Sequence, residues 1–269
     1  MKDIQCIFLD IDGTVDNSDR ITTEYTKKVL GKLKEKDILS VICSGRTVTY
    51  AIDKSVSANC SHYVIADNGS VVYDYENDKV IFESIFSKEV LYQVSNICFS
   101  NKVECLFNTV RDVYRYGDYD YHKYKRGISV SNIYDIEENV TQIIISSTNY
   151  DDMVKTRDMI LKIGNIQVSN TNMNKQLEEG KAYYCDLNII DNSKGNAIVK
   201  LIHYLKIDVE NTMCFGDSLN DMSMFLTCGV KVAMKNASKE LKEIATYITD
   251  YDNDHDGVAK YIEDNILDT

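Results

Sequence analysis

Proline is absent from all 269 residues. Breaks between elements must therefore come from Gly, Asn, Asp and Ser, the other residues that favour turns. No apolar run approaches the ~18 residues that a bilayer-crossing helix needs. The opening stretch, MKDIQCIFLDIDG, carries carboxylates where a secretory leader would have a clean apolar core, so a cytoplasmic location is expected. Basic charge is also scarce: 30 Lys and Arg face 42 Asp and Glu, for a formal net charge of -12. Such a surface argues against nucleic-acid binding. It still admits a small phosphate where local cations or a metal overturn the global sign. None of the eight cysteines forms a CxxC pair. Cys6, Cys43, Cys185 and Cys214 sit in strand-like apolar runs, where a free thiol acts as a small hydrophobe. Cys60 and His62 lack a second ligand pair for zinc.

What is present is an alternating pattern. QCIFLDI reads as a buried strand, and EYTKKVLGKLKEKD as a helix with Val29, Leu30 and Leu33 at helical spacing. ILSVICSGR, TVTYAIDKSV and HYVIADNG continue as strand, helix and strand, which is the pattern of a parallel α/β sheet. After about Val80 the rhythm changes, and a middle segment carries helices and strands of its own, as an inserted α/β domain would. From Ser193 the first rhythm resumes. The expected organisation is a discontinuous core over 1–82 and 190–269, with an inserted domain over 83–189.

Strand-end loops of a parallel sheet are where ligands bind, and here they are polar. In FLDIDGTV, Asp10 and Asp12 stand two apart, so strand alternation would turn both to one face unless the loop bends before Asp12. Two carboxylates so close bind a metal or divide acid and base roles, unless they merely cap a turn. Ser44-Gly45-Arg46 offers a hydroxyl and backbone N–H groups suited to phosphate, or closes an ordinary loop. Lys194 opens a helix, where a cation opposes the dipole unless an anion is near; the alternative is a solvated surface lysine. FGDSLND adds Asp217, Asn220 and Asp221, making an oxygen-rich set appropriate for magnesium.

DIDGT, the Ser44 strand end, Lys194 and GDSLND, in this order, resemble the four motifs of the haloacid dehalogenase superfamily of phosphotransferases. ADNGS, SKGNAI, VAMKNAS and DGVAKYIED further resemble the Cof-type phosphatases, whose type IIB cap is inserted between the second and third motifs. The resemblance implies a Rossmann-like parallel-sheet core, a mobile α/β cap and a small phosphorylated metabolite, sugar phosphates foremost, as substrate. It implies Asp10 as nucleophile and Asp12 as acid and base. Ser44, Gly45, Lys194 and Asn220 would attend the phosphoryl group. Magnesium would be held by Asp10, the Asp12 backbone carbonyl and Asp217, with Asp221 supporting it through water. Many Cof-type relatives carry Thr where this chain has Ser44, and either supplies the hydroxyl. A phosphomutase using the same aspartyl-phosphate is the alternative within enzymes.

Two other stretches invite a function. VYRYGDYDYHKYKRG mixes tyrosines with basic residues, and reads as a stacking surface or as a loop and edge strand covering a small sheet. DNDHDGVAKYIE fits a calcium loop, with Asp252, Asp254, Asp256 and Glu263 as ligands and Gly257 at the turn. Its incoming flank turns from helix to β-branched strand, no second loop exists, and position eight is Ala259. In the resembled family it opens the last core helix, with Asp256 as its N-cap. A calcium-regulated protein is thus disfavoured.

Overall fold

The computed structural model describes residues 3–116, 127–173 and 181–267. The chain forms two compact units, Met1–Phe82 with Ser193–Thr269, and Glu83–Asn192. Its first stretch supplies β1 (Cys6–Leu9), α1 (Glu24–Glu35), β2 (Leu39–Cys43), α2 (Val48–Ser57), β3 (Tyr63–Ala66), β4 (Val71–Asp74) and β5 (Lys79–Glu83). The middle stretch holds α3 (Lys88–Ser100), β6 (Glu104–Asn108), β7 (Val113–Tyr116), β8 (Ile128–Val130), β9 (Gln142–Ser147), α4 (Tyr150–Leu161), β10 (Ile166–Thr171) and β11 (Tyr183–Ile189). The last adds α5 (Lys194–Leu205), β12 (Thr212–Gly216), α6 (Met222–Thr227), β13 (Val230–Ala233), α7 (Lys239–Ile244), β14 (Tyr247–Ile248) and α8 (Gly257–Ile262).

The first unit is built on a sheet of order β14-β13-β12-β1-β2-β3-β4-β5. From β14 to β3 every pair is parallel, and β4 runs antiparallel to β3. All four residues of β1 are buried, as expected of a parallel strand covered on both faces. Cys6 registers with Thr212 on one side and Leu39 on the other. Strand order therefore runs outward in both directions from β1, and such a switch point leaves a crevice at the carboxyl ends.

Helix α1 buries Val29, Leu30 and Leu33 on one face. Thr23 caps it by accepting from the Thr26 N–H, and Lys32 and Lys34 complement the dipole at its other end. Turns are made as the lack of proline requires. Eight of the eleven non-glycine residues with positive φ among the described residues are Asn or Asp, whose short polar side chains tolerate the left-handed region.

The second unit carries a mixed sheet of order β10-β11-β9-β6-β7-β8, antiparallel except between β7 and β8. Phe107, Ile143, Ile145 and Leu187 form its core with Leu91 and Val94 of α3 and Met153 and Ile160 of α4. Tyr114, Arg115 and Tyr116 form β7, which is interior because β8 pairs with it; the expectation of an edge strand there is corrected. Tyr119, Tyr121, His122, Lys123, Tyr124, Lys125 and Arg126 lie outside the described residues. All eight cysteines are free and buried. Burial pushes the Cys60 thiol up to about 12, so it stays neutral. Among the described residues no helix is long and apolar enough to cross a membrane.

Candidate active site

Strand β1 delivers Asp10 to its carboxyl end, where the Asp10 N–H still donates to the Phe215 carbonyl of β12 (3.2 Å). The chain then bends, with the Thr14 and Asp16 N–H groups both donating to the Ile11 carbonyl. Gly13 allows this bend with a φ of +80°, and a Cβ there would stand 2.5 Å from Oδ2 of Asp217. The loop after β1 thus passes closer to Asp217 than any side chain permits. The bend also separates the two carboxylates. Strand alternation would turn Asp10 and Asp12 to one face; instead Asp10 is buried and Asp12 turns to Arg46.

Lys194 is the first residue of α5, held there by the Ser193 N-cap, whose hydroxyl accepts from the Asn196 N–H. It is no surface lysine: only 1% of it is exposed. Its Nζ donates to Oδ1 of Asp10 and to Oδ1 of Asp221, each at 2.6 Å. Burying an ion costs several kcal/mol unless partners replace its hydration. Burial opposes the Lys194 charge, but the Asp10 and Asp221 carboxylates outweigh it and hold the ammonium above the usual lysine range.

Strand β12 ends at Gly216, and the next turn carries Asp217, Asn220 and Asp221. The fully buried Asp221 accepts from the N–H groups of Asp217 (3.0 Å) and Ser218 (3.1 Å) through Oδ2, besides Lys194 through Oδ1. It is thereby a brace that fixes the loop presenting Asp217. The Asn220 Oδ1 accepts from the Ser218 hydroxyl at 2.5 Å.

One carboxylate oxygen each from Asp10, Asp217 and Asp221 lies within 4.8 Å of the others. Three carboxylates against one ammonium leave two negative charges in excess. Burial, and then the Asp221 charge, push Asp10 up to about 8, against the pull of Lys194. The same causes in the same order push Asp217 up to about 7. A divalent cation would cancel the excess, and hard carboxylate oxygens suit one. The Asp12 carboxylate is not among these clustered groups and pairs with Arg46 instead.

At the end of β2, Ser44 is buried; its N–H donates to the Ile65 carbonyl (2.9 Å) and its hydroxyl accepts from the Arg46 N–H (3.2 Å). Arg46 grips Asp12 with two nitrogens and lies 5.5 Å over the Tyr50 ring. The sequence showed Arg46 within its motif but gave no sign of this pairing, which depends on how the Asp12 loop folds back.

The family model described as haloacid dehalogenase-like hydrolase matches residues 7–262. The chain belongs to this family. Among curated relatives, this hydrolase is 29% identical over 267 residues to a 5-amino-6-(5-phospho-D-ribitylamino)uracil phosphatase of Bacillus subtilis, covering 98% of its own chain and 97% of the relative. Its fold matches a haloacid dehalogenase-like hydrolase from Bacteroides thetaiotaomicron with a TM-score of 0.84, at 23% identity, over 97% of this chain and 99% of the other. A subclass IIB sugar phosphatase of the superfamily matches with a TM-score of 0.76, at 20% identity, over 97% and 98% of the two chains. A parallel core sheet with a second, inserted mixed sheet is the shared architecture.

The calcium-like tail of this hydrolase is committed elsewhere. Asp254 accepts from the Ser18 N–H (2.7 Å) and hydroxyl (2.8 Å), and Glu263 accepts from Tyr25 (2.5 Å) and Lys32 (2.8 Å). Asp252 pairs with His255 at 2.6 Å. Asp256 stands at the N-cap position of α8 as expected, but with a φ of 58° its side chain makes no capping hydrogen bond and accepts instead from the hydroxyls of Thr23 and Thr26 at the start of α1. The expected capping bond is thus corrected: the carboxylate ties the start of one helix to the start of another.

Proposed function

We propose that this protein is a magnesium-dependent phosphatase of small organic phosphate monoesters, sugar phosphates first among them, acting through an aspartyl-phosphate. Membership of the hydrolase family carries the coarser statement: the protein is a phosphoric monoester hydrolase of the haloacid dehalogenase superfamily. The observation that carries the finer reading is the buried Lys194 joined to Asp10 and Asp221, with Asp217 beside them. The B. subtilis relative, named for a phosphoribityl substrate, and the sugar phosphatase of like fold favour a polyhydroxylated ester.

In this reading an Asp10 carboxylate oxygen attacks phosphorus, and the bond from phosphorus to the ester oxygen breaks. Asp12 gives its proton to that leaving oxygen, then takes one from the water that attacks the phosphorylated Asp10. The bond between Asp10 and phosphorus breaks, releasing inorganic phosphate and restoring Asp10 as a carboxylate and Asp12 as the protonated acid. Arg46 sets the direction in which Asp12 faces. Lys194, the Ser44 hydroxyl and the Gly45 N–H hold phosphoryl oxygens, with Asn220 at the edge of the same group. Asp10, Asp217 and the Asp12 carbonyl would hold magnesium, with Asp221 behind them. Bound there, the metal supplies positive charge to the phosphoryl oxygens.

The test is a panel of phosphorylated metabolites assayed with magnesium for free phosphate, beside Asp10→Asn. Release from at least one ester by the wild type, lost in the variant, is expected. No release from any ester, or full activity in Asp10→Asn, overturns the reading. An isomerised sugar phosphate without free phosphate would make the protein a mutase.

A further inference from the structure

Asp67, Asn68 and Gly69 follow β3 with three successive positive φ angles, 50°, 56° and 95°. Asp and Asn adopt that conformation more readily than other residues with a Cβ, but two in succession before a third positive φ still cost free energy, and such strain gathers at functional sites. The loop is gripped by its neighbours. The Asp67 N–H donates to the Arg46 carbonyl (2.9 Å) and the Asn68 N–H to the Ser44 carbonyl (3.1 Å). On its other side Gly69 lies so near Ser193 that a Cβ would stand 2.2 Å from the Ser193 carbonyl oxygen, one residue before Lys194. The strained loop therefore joins the Ser44–Arg46 segment to the start of the helix that carries Lys194.

The Asn68 side chain sits at the centre of this arrangement, only 4% exposed. Its carboxamide packs on Gly45, with Oδ1 2.6 Å and Nδ2 3.1 Å from where a Cβ would stand. The buried Nδ2 has no hydrogen-bond partner. A buried amide donor without an acceptor is costly, and here it is kept inside a backbone that is itself strained. We infer that Asn68 is a further phosphoryl-oxygen donor of this site, its Nδ2 serving the same phosphate group as Ser44 and Gly45. The ligand is a phosphate monoester dianion or inorganic phosphate, and the inference rests on the phosphatase reading above.

Two variants separate donation from packing. Asn68→Gly removes the donor and suits a left-handed backbone, so it is expected to fold with a thermal midpoint at or above wild type. Asn68→Asp keeps the shape but replaces the donor with a negative acceptor. Titration calorimetry with inorganic phosphate and magnesium should show Kd raised at least about tenfold in Asn68→Gly, the scale of a hydrogen bond to a charged group. The loss should be larger still in Asn68→Asp. Phosphate binding within twofold of wild type in either variant overturns the inference, as does tighter binding by Asn68→Asp than by Asn68→Gly, which would mark a packing role. Such a result beside an active wild type and an inactive Asp10→Asn leaves the phosphatase reading standing. A wild type that binds no phosphate and hydrolyses no ester brings down both.

Discussion

Arg46 holds both carboxylate oxygens of Asp12, with Nε 2.9 Å from Oδ2 and Nη2 2.8 Å from Oδ1. A two-point fork fixes the plane of a carboxylate as well as its position. Both side chains are about 40% exposed, so the pair adds little to stability. Its consequence is kinetic. Arg46→Ala is expected to lower kcat by about tenfold or more while leaving the melting temperature nearly unchanged, because a misdirected acid–base group loses its geometric advantage. Arg46→Lys, which offers one ammonium in place of the fork, should fall between. Steady-state kinetics beside thermal melts would check both.

Removing Lys194 has the opposite balance. Lys194→Met leaves Asp10 and Asp221 buried without their shared cation, and breaking a buried pair in this way costs about 3–5 kcal/mol. Activity is expected to vanish as well. Adding Asp221→Asn to Lys194→Met should recover part of the stability and none of the activity, measured by denaturant unfolding and phosphate release.

The raised carboxyls give stability a pH dependence with a definite sign. Asp10 at about 8 and Asp217 at about 7 both exceed an ordinary aspartate, so the folded state binds more protons than the unfolded one in between. Without metal, stability should therefore fall as pH rises from about 4 through 8. Asp10→Asn should flatten that fall, and magnesium should raise the melting temperature more at pH 8 than at pH 6. Melts with EDTA and with magnesium across this range would show it; a slope of the other sign would refute it.

Gly69 has no room for a side chain. Gly69→Ala would force a Cβ into the Ser193 carbonyl at a φ of 95°, with an expected destabilisation of about 2–4 kcal/mol. Because the displaced backbone leads into Lys194, activity should fall further than the lost folded fraction explains.

The tail should be silent toward calcium. Calorimetric titration with Ca²⁺ is expected to give the same heats for wild type and Asp254→Ala, since Asp254, Asp256 and Glu263 serve different protein partners. Tight binding lost in the variant would restore the calcium reading.

Much of this was legible in the residues. The alternating strands and helices of the core were, because buried parallel strands such as CIFL and LSVIC are continuous apolar runs. Asp10, Ser44 and Asp217 stood out because each closes or follows such a run, and Lys194 because it opens a helix. The strands β4, β5, β8 and β10 did not, being short or polar and held by pairing more than by pattern. The separation of Asp12 from Asp10, its union with Arg46 and the left-handed Asn68 depend on loop dihedrals that no residue spacing encodes. Lys194 shows the limit: its position at a helix start could be read, but burial and two carboxylate partners only emerge once distant segments meet.

The central strand has a consequence for how the protein is made. β1 is paired with β2 on one edge, but its other edge belongs to β12, about 200 residues later. On a ribosome adding roughly 5–20 residues per second, that edge waits for something like ten to forty seconds. Throughout this interval a wholly apolar strand is exposed on one side, an open template for another chain. The length of the segment inserted between the two edges thus sets how long that template stays open.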